Sequence, residues 1–234
     1  MVSNWRLINQ FFNFFTPGYC LLCESLVSDG YQLCRDCNAD CPVPDAPCPN
    51  CGMQLRDYGD LCTCTHSPLP IDRLITVQTY QYPVNTLIHA MKYRQQLNLC
   101  REAGLRLAEK VQRSGNKLPD CLVPVPMHRK RLQERGYNQA LEIARVIANN
   151  LDLPLEADLV LRKRHTATQI ELNPVERLRN VKGAFCLSRE INYDFIAIID
   201  DVFTTGATAL ELARILKIAT ASRVELWSYS IATT

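Results

Sequence analysis

Nine of the chain's twelve cysteines lie between Cys20 and Cys64, and only Cys100, Cys121 and Cys186 lie beyond. A stretch this dense in cysteine and short of periodic apolar residues does not fold on a hydrophobic core alone; it needs disulfides or a metal as a staple. The spacing points to metal. Cys20-Leu21-Leu22-Cys23, Cys34-Arg35-Asp36-Cys37 and Cys48-Pro49-Asn50-Cys51 are CxxC pairs, and Cys62-Thr63-Cys64 is a CxC pair. Two residues between cysteines let one tight turn present both sulfurs to one ion, and two such turns complete a tetrahedral site. The simplest pairing is sequential, Cys20, Cys23, Cys34 and Cys37 and then Cys48, Cys51, Cys62 and Cys64; interleaved pairing stays open. The CxC pair leaves His66 as an alternative ligand, Gly52 suits a knuckle turn, and Cys41 is a spare. Thiolates favour zinc, although iron also takes four sulfurs. Four thiolates close the coordination shell, so the expected role of one or two ions is structural.

The start of the chain supports that choice. WRLINQFFNFFTPG interrupts its apolar residues with Asn and Gln and lacks a small-residue cleavage site, so it does not read as a secretory signal. The expectation is a chain kept in a reducing cytoplasm, where paired cysteines bind metal. Trp5, Ile8, Phe12 and Phe15 fall at helical spacing, which predicts a short amphipathic helix within residues 1–17. It either docks on its own protein or lies at the inner face of a membrane as a peripheral contact. No apolar run is long enough to span a bilayer. The net charge is +2, so the whole molecule is not a basic nucleic-acid binder, and any anion affinity must be local. The cysteine segment is itself acidic: between Cys20 and Cys64 only Arg35 and Arg56 face seven Asp and Glu residues.

The pattern changes after residue 68. IDRLITVQTY alternates β-branched residues and reads as a strand, and Pro83 opens a helix over VNTLIHAMKYRQQ. A second helix follows at LCREAGLRLAEKVQR. CLVPVP (121–126) is a short apolar strand, NQALEIARVIANNL an amphipathic helix, and FIAIID (195–200) a nearly continuous apolar run, as expected of a central parallel strand. TALELARILKIA and RVELWSYSIA add a helix and a final strand. This alternation predicts an α/β domain over residues 69–234, with a parallel sheet flanked by helices and the cysteine-rich module of residues 18–68 ahead of it.

The most informative stretch is Ile198-Ile199-Asp200-Asp201-Val202-Phe203-Thr204-Thr205-Gly206-Ala207-Thr208. A buried strand ends in two carboxylates, a loop of small and hydroxyl residues follows, and then a helix begins. Backbone N–H groups of such a loop, together with the positive end of the helix, make an anion pocket. Gly206 allows close approach, and Thr204, Thr205 and Thr208 add donors. The GxxxxGK[ST] pattern is absent, so this is not a nucleoside-triphosphate loop. Two carboxylates beside a phosphate suit a ribose diol, or magnesium through its waters. The motif resembles the signature of type I phosphoribosyltransferases, which bind phosphoribosyl pyrophosphate (PRPP). That resemblance implies that Asp200 and Asp201 hold the ribose hydroxyls and that Phe203, Thr204, Thr205, Gly206, Ala207 and Thr208 hold the 5′-phosphate.

A pyrophosphate also needs cations. Pro126 is followed by Met127-His128-Arg129-Lys130-Arg131 and then by Arg135, which reads as a basic loop. A second basic run, Arg162-Lys163-Arg164, opens a polar segment containing Thr168 and Gln169 that lacks clean periodicity over 163–180. In related transferases a mobile basic loop closes over the substrate to exclude water, and this segment is the candidate for that lid.

Taken together, the cysteine pairs, PVPMHRKRLQERGYNQA, RKRHTATQIELNPVERLRNVKGAF and AIIDDVFTTGAT resemble the ComF family over residues 18–234. The resemblance implies a phosphoribosyltransferase-like fold behind a double zinc ribbon, PRPP with magnesium, and a role in DNA uptake during natural transformation or in the use of DNA as a nutrient. No acceptor-reading residues are legible. Three activities therefore stay open: a transferase acting on a nucleobase or nucleotide, a non-catalytic PRPP sensor, and an adaptor that binds single-stranded DNA or uptake-machinery proteins.

Overall fold

The apolar run Phe195-Ile196-Ala197-Ile198-Ile199 becomes the spine of a four-stranded parallel sheet, because it buries side chains on both faces. The computed structural model describes residues 18–27, 31–45, 48, 69–163, 181–219 and 221–232. In chain order the elements are β1 (Gly18–Tyr19), β2 (Leu26–Val27), α1 (Arg35–Ala39), β3 (Arg73–Thr79), α2 (Val84–Tyr93), α3 (Leu97–Arg113) and β4 (Cys121–Pro124). Then come α4 (Arg129–Arg135), α5 (Gln139–Leu151), β5 (Val160–Arg162), β6 (Phe185–Leu187), β7 (Phe195–Phe203), α6 (Ala207–Ala219) and β8 (Arg223–Ile231).

The sheet order is β3-β8-β7-β4 with every pairing parallel. Alternation along β7 divides the core. Ala197 and Ile199 pack with Trp227, Tyr229 and the inner faces of α2, α3 and α5, whereas Ile196 and Ile198 pack with Val224, Leu226 and the inner face of α6. The result is helices on both faces of a parallel sheet, the layering expected for βαβ connections. Helices α3 and α5 cross closely: a Cβ built on Gly104 lies 2.6 Å from the Cβ of Val146, so no larger residue fits without moving a helix.

The cysteine module is fastened to the edge of this domain. Thr79 of the edge strand β3 donates its N–H to the carbonyl of Pro42 at 2.7 Å. Gln32 donates its N–H to Glu102 Oε2 at 2.6 Å, and Asn98 Nδ2 donates to Gln32 Oε1 at 2.6 Å. Glu102 is buried, and its other oxygen accepts from Arg106 Nε at 2.8 Å. The Arg106 guanidinium also lies over the Tyr31 ring, and the Tyr31 hydroxyl bonds Glu109. Cys20, Leu33 and Cys41 join the same hydrophobic cluster as α2 and α3.

Two expectations change. The run after Pro126 is a helix from Arg129, not a loop: RKRLQER consists of good helix formers, and His128 caps it by accepting the Lys130 N–H on Nδ1 at 3.2 Å. The sequence also gave no sign of the antiparallel pair β5–β6. Cys100 and Cys121 are core residues, whereas Cys186 is half-buried on β6. The N-terminal helix of residues 1–17 and its membrane contact lie outside the described residues. So do Cys51, Gly52, Cys62, Cys64, His66 and, in the expected lid, Arg164, Thr168 and Gln169. Among the described residues no helix is long and apolar enough to cross a membrane.

Candidate functional site

Two clusters of chemistry-bearing side chains stand out. In the first, the β1–β2 hairpin turns through Cys20 and Cys23, with the Cys20 N–H donating to Ser25 O at 2.7 Å. The second knuckle forms where Cys34 caps α1 by accepting the Cys37 N–H on Sγ at 3.4 Å. Cys20, Cys23, Cys34 and Cys37 thereby bring all four Sγ atoms within 4.8 Å of one another. The Cys23 and Cys34 sulfurs are 3.6 Å apart. Zn–S bonds of about 2.3 Å in a tetrahedron require edges of about 3.8 Å, so this set fits one zinc ion with no open position. The grouping is the sequential one. Cys41 stands outside it, buried, with its thiol directed to the Cys37 carbonyl at 3.3 Å. Of the second sequential set, Cys48 is described and is buried.

The second cluster lies where parallel α/β sheets place ligands, outside the carboxyl ends of the strands. The ends of β3, β4 and β7 border a cavity of about 460 Å³. Asp200 and Asp201 close its floor at the end of β7, and Phe203, Thr204, Thr205, Gly206, Ala207 and Thr208 wrap one side and run into α6. Gly206 is obligatory there on two counts. Its φ is +72°, and a Cβ would sit 2.7 Å from the Phe203 ring. Pro126, Arg131, Arg135 and Arg162 also line the cavity. His128, Arg129, Lys130 and Lys163 do not line the cavity; Arg129 and Lys130 are exposed on the outer face of α4.

The cavity brings two carboxyl groups and three guanidiniums together. Burial, and then the neighbouring Asp201, raise the Asp200 carboxyl to about 8, against the opposing pull of Lys92. Asp200 Oδ1 accepts the Asp201 N–H at 2.9 Å. Burial and the adjacent Arg135 lower Arg131, and burial and Arg131 lower Arg162. For Arg131 and Arg162, burial and a neighbouring guanidinium both disfavour the charged form.

Sequence reading missed Lys92, whose Nζ lies 3.0 Å from Asp201 Oδ2. A signal did exist. Lys92 is four residues after the buried Ile88, which puts a cation on the inward face of an amphipathic helix, where it needs a partner. It also missed Tyr93, which lines the mouth beneath the Arg135 guanidinium (5.1 Å from the ring centroid), and Asn138. Asn138 ties α5 to the end of β4 by donating Nδ2 to Val125 O at 3.0 Å and accepting the Ala140 N–H at 3.2 Å.

No family model matches the chain. Individual proteins do. The chain is 32% identical over 217 residues to the DNA utilization protein YhgH of Escherichia coli (strain K12), covering 90% of this chain and 96% of that protein. It is 30% identical over 230 residues to Competence protein F of Haemophilus influenzae, covering 93% and 97%. The chain belongs to the ComF/YhgH family. Its members include proteins named for competence and for DNA utilization, and the match spans both the cysteine module and the cleft. Among solved structures, a purine phosphoribosyltransferase from Pyrococcus horikoshii aligns at 15% identity with a TM-score of 0.34, covering 68% of this chain and 87% of that one.

Proposed function

We propose that this ComF/YhgH protein binds PRPP in the cleft and serves competence or DNA utilization through that ligand. One observation carries the reading: the acidic pair, the Thr-rich turn into α6 and the guanidiniums of Arg131, Arg135 and Arg162 converge on one cavity although they come from separate parts of the sequence. The carboxyl oxygens of Asp200 and Asp201 accept hydrogen bonds from the ribose hydroxyls. Backbone N–H groups of residues 204–208, with the hydroxyls of Thr204, Thr205 and Thr208, take the 5′-phosphate at the helix N-terminus. Arg131, Arg135 and Arg162 hold the pyrophosphate and lower the cost of its departure if the ribose anomeric carbon is attacked. Magnesium, when bound with the ligand, neutralises pyrophosphate charge. The cleft supports either transfer to a nucleobase or nucleotide, or PRPP sensing without turnover.

Calorimetric titration of the zinc-loaded protein with magnesium-PRPP tests the reading. Binding by the wild type that is lost in Asp200→Asn is the expected result. A folded, zinc-loaded wild type that binds no PRPP overturns it.

A second reading has its own observation: Arg129 and Lys130 are exposed on α4 outside the cavity, where a nucleic-acid backbone has access to them. A single-stranded DNA affinity that falls with rising salt, survives Asp200→Asn and drops in Arg129→Ala/Lys130→Ala is what that reading requires.

A further inference from the structure

Two neighbouring carboxylates at the floor of a phosphate-binding cleft repel both one another and the ligand's phosphates. In a sugar-phosphate site that charge is commonly met by a divalent cation. Here the positive charge is built into the fold. Successive residues of a strand point to opposite faces, and Asp201 lies on the face that carries Ala197, Ile199 and α2. From the last turn of α2, Lys92 reaches it with Nζ 3.0 Å from Oδ2, and both side chains are largely buried, at 22% and 12% exposure. Among the described residues this is the one ion pair formed by either acid.

The helix end that delivers Lys92 is held on both sides of it. The Tyr137 hydroxyl donates to the carbonyl of Met91, and Arg135 Nη2 donates to the Tyr93 hydroxyl at 3.5 Å. Arg135 ends α4 and Tyr137 lies in the turn that joins α4 to α5, so the guanidinium side of the cleft also holds the helix end that carries the ammonium. The charged groups facing the pair are Arg131, whose field reaches Asp201, and Arg162, whose field reaches Asp200.

We propose that Lys92 is the resident counterion of the acidic pair, acting through Asp201, so that the ribose 5-phosphate end of the ligand binds without a divalent cation. Lys92 is thus a positioning residue, and magnesium serves only the pyrophosphate arm. The inference rests on the ribose-phosphate reading of the cleft.

The test is calorimetry with ribose 5-phosphate and, separately, PRPP, on zinc-loaded protein with and without magnesium. Wild type should bind ribose 5-phosphate equally in both conditions. Lys92→Met should lose about tenfold or more in magnesium-free buffer, the size expected when a largely buried charge loses its partner. Magnesium should restore most of that loss, which it would not do for a merely structural lesion. Lys92→Arg should keep most of the wild-type affinity. The neutral pair Lys92→Met/Asp201→Asn leaves no orphaned charge to unfold the site, and it should bind no worse than Asp201→Asn alone, because the two residues act as one unit. Wild-type ribose 5-phosphate binding that requires magnesium overturns the inference. So does a Lys92→Met affinity equal to wild type, or losses in the double variant that simply add. Wild type that binds neither ligand even with magnesium instead removes the underlying reading of the cleft.

Discussion

The cysteine cluster and the cleft are built by opposite strategies. The cluster draws its four sulfurs from 18 consecutive positions, Cys20 to Cys37, and two local turns aim them. The cleft draws its groups from α2, α4, β5 and the β7–α6 turn, with Lys92 and Thr208 more than one hundred positions apart. A local cluster is only as stable as the ion it holds, because its short strands bury little. A distributed site inherits the rigidity of the sheet whose strand ends it joins. The two are nonetheless mechanically linked, since Pro42, Gln32 and Tyr31 of the module bond the same edge strand and helix that lead toward Tyr80 and Lys92.

The largest expected effect breaks the local side of that comparison. Removing zinc with a chelator, or one ligand through Cys34→Ser, should collapse the module, since structural zinc is worth about 10–16 kcal/mol in isolated zinc-finger peptides. Loss of metal measured by elemental analysis should accompany a lower thermal midpoint of the α/β domain as well, because Oε2 of the buried Glu102 and the N–H of Thr79 lose their module partners. A domain midpoint unchanged by chelation would show that the module is a passenger.

Two glycines then compare scaffold with site. Gly104→Ala should cost about 1–3 kcal/mol through overpacking against Val146, read as a lower denaturation midpoint, and should leave ligand affinity in the surviving folded protein nearly intact. Gly206→Ala should cost a similar amount and also abolish anion binding, because the added methyl meets the Phe203 ring and the positive φ is strained. Equal loss of affinity in both variants would contradict the division between them.

A smaller effect runs in the stabilising direction. The Asp200 carboxyl is raised to about 8 in the empty fold against an ordinary value of 3.8. Between these values the unfolded chain has given up this proton while the folded chain keeps it, so the group makes stability fall as pH rises through that window. Above about 8 the penalty is constant, and below the ordinary value it is absent. Asp200→Asn should therefore stabilise the ligand-free protein at pH 7 by about 1–2 kcal/mol and lose that advantage near pH 4, while binding no sugar phosphate. Chemical denaturation of both proteins at the two pH values measures it. A gain that persists undiminished at low pH would mean the carboxyl is not the cause.

These expectations trace what was legible in the sequence. The β7–α6 turn was readable because strand, acids, hydroxyls and glycine are contiguous and each type has a local reason to be there. The first sulfur set was readable for the same reason. Arg131, Arg135 and Arg162 were flagged by charge, but charge alone did not separate them from Arg129, Lys130 and Lys163, which the fold turns away from the cavity. For Arg131 and Arg135 against Arg129 and Lys130 that separation is helical phase, and the basic run concealed a helix; for Arg162 against Lys163 it is the alternation of neighbouring residues at a strand end. Lys92 carried the faintest mark, a cation in an apolar stripe, because its partner is more than one hundred positions away and proximity across a sheet leaves no trace in local pattern.

The same helical phase supplies the smallest expected effect. Arg131 faces the cavity, while Arg129 and Lys130 sit on the solvent side of the same seven-residue helix. Arg131→Ala should weaken PRPP binding by about tenfold, as expected for a charge-assisted contact worth about 1.5–3 kcal/mol. Arg129→Ala should change PRPP affinity by less than about twofold, because an exposed charge outside the site acts only through a screened field. The contrast should persist when the salt concentration is raised, since contact survives screening and long-range attraction does not. If both variants lose affinity equally and the loss vanishes in high salt, α4 attracts the ligand as a charged surface. The cleft would then end at β7, and the pyrophosphate role would pass to Arg162 alone.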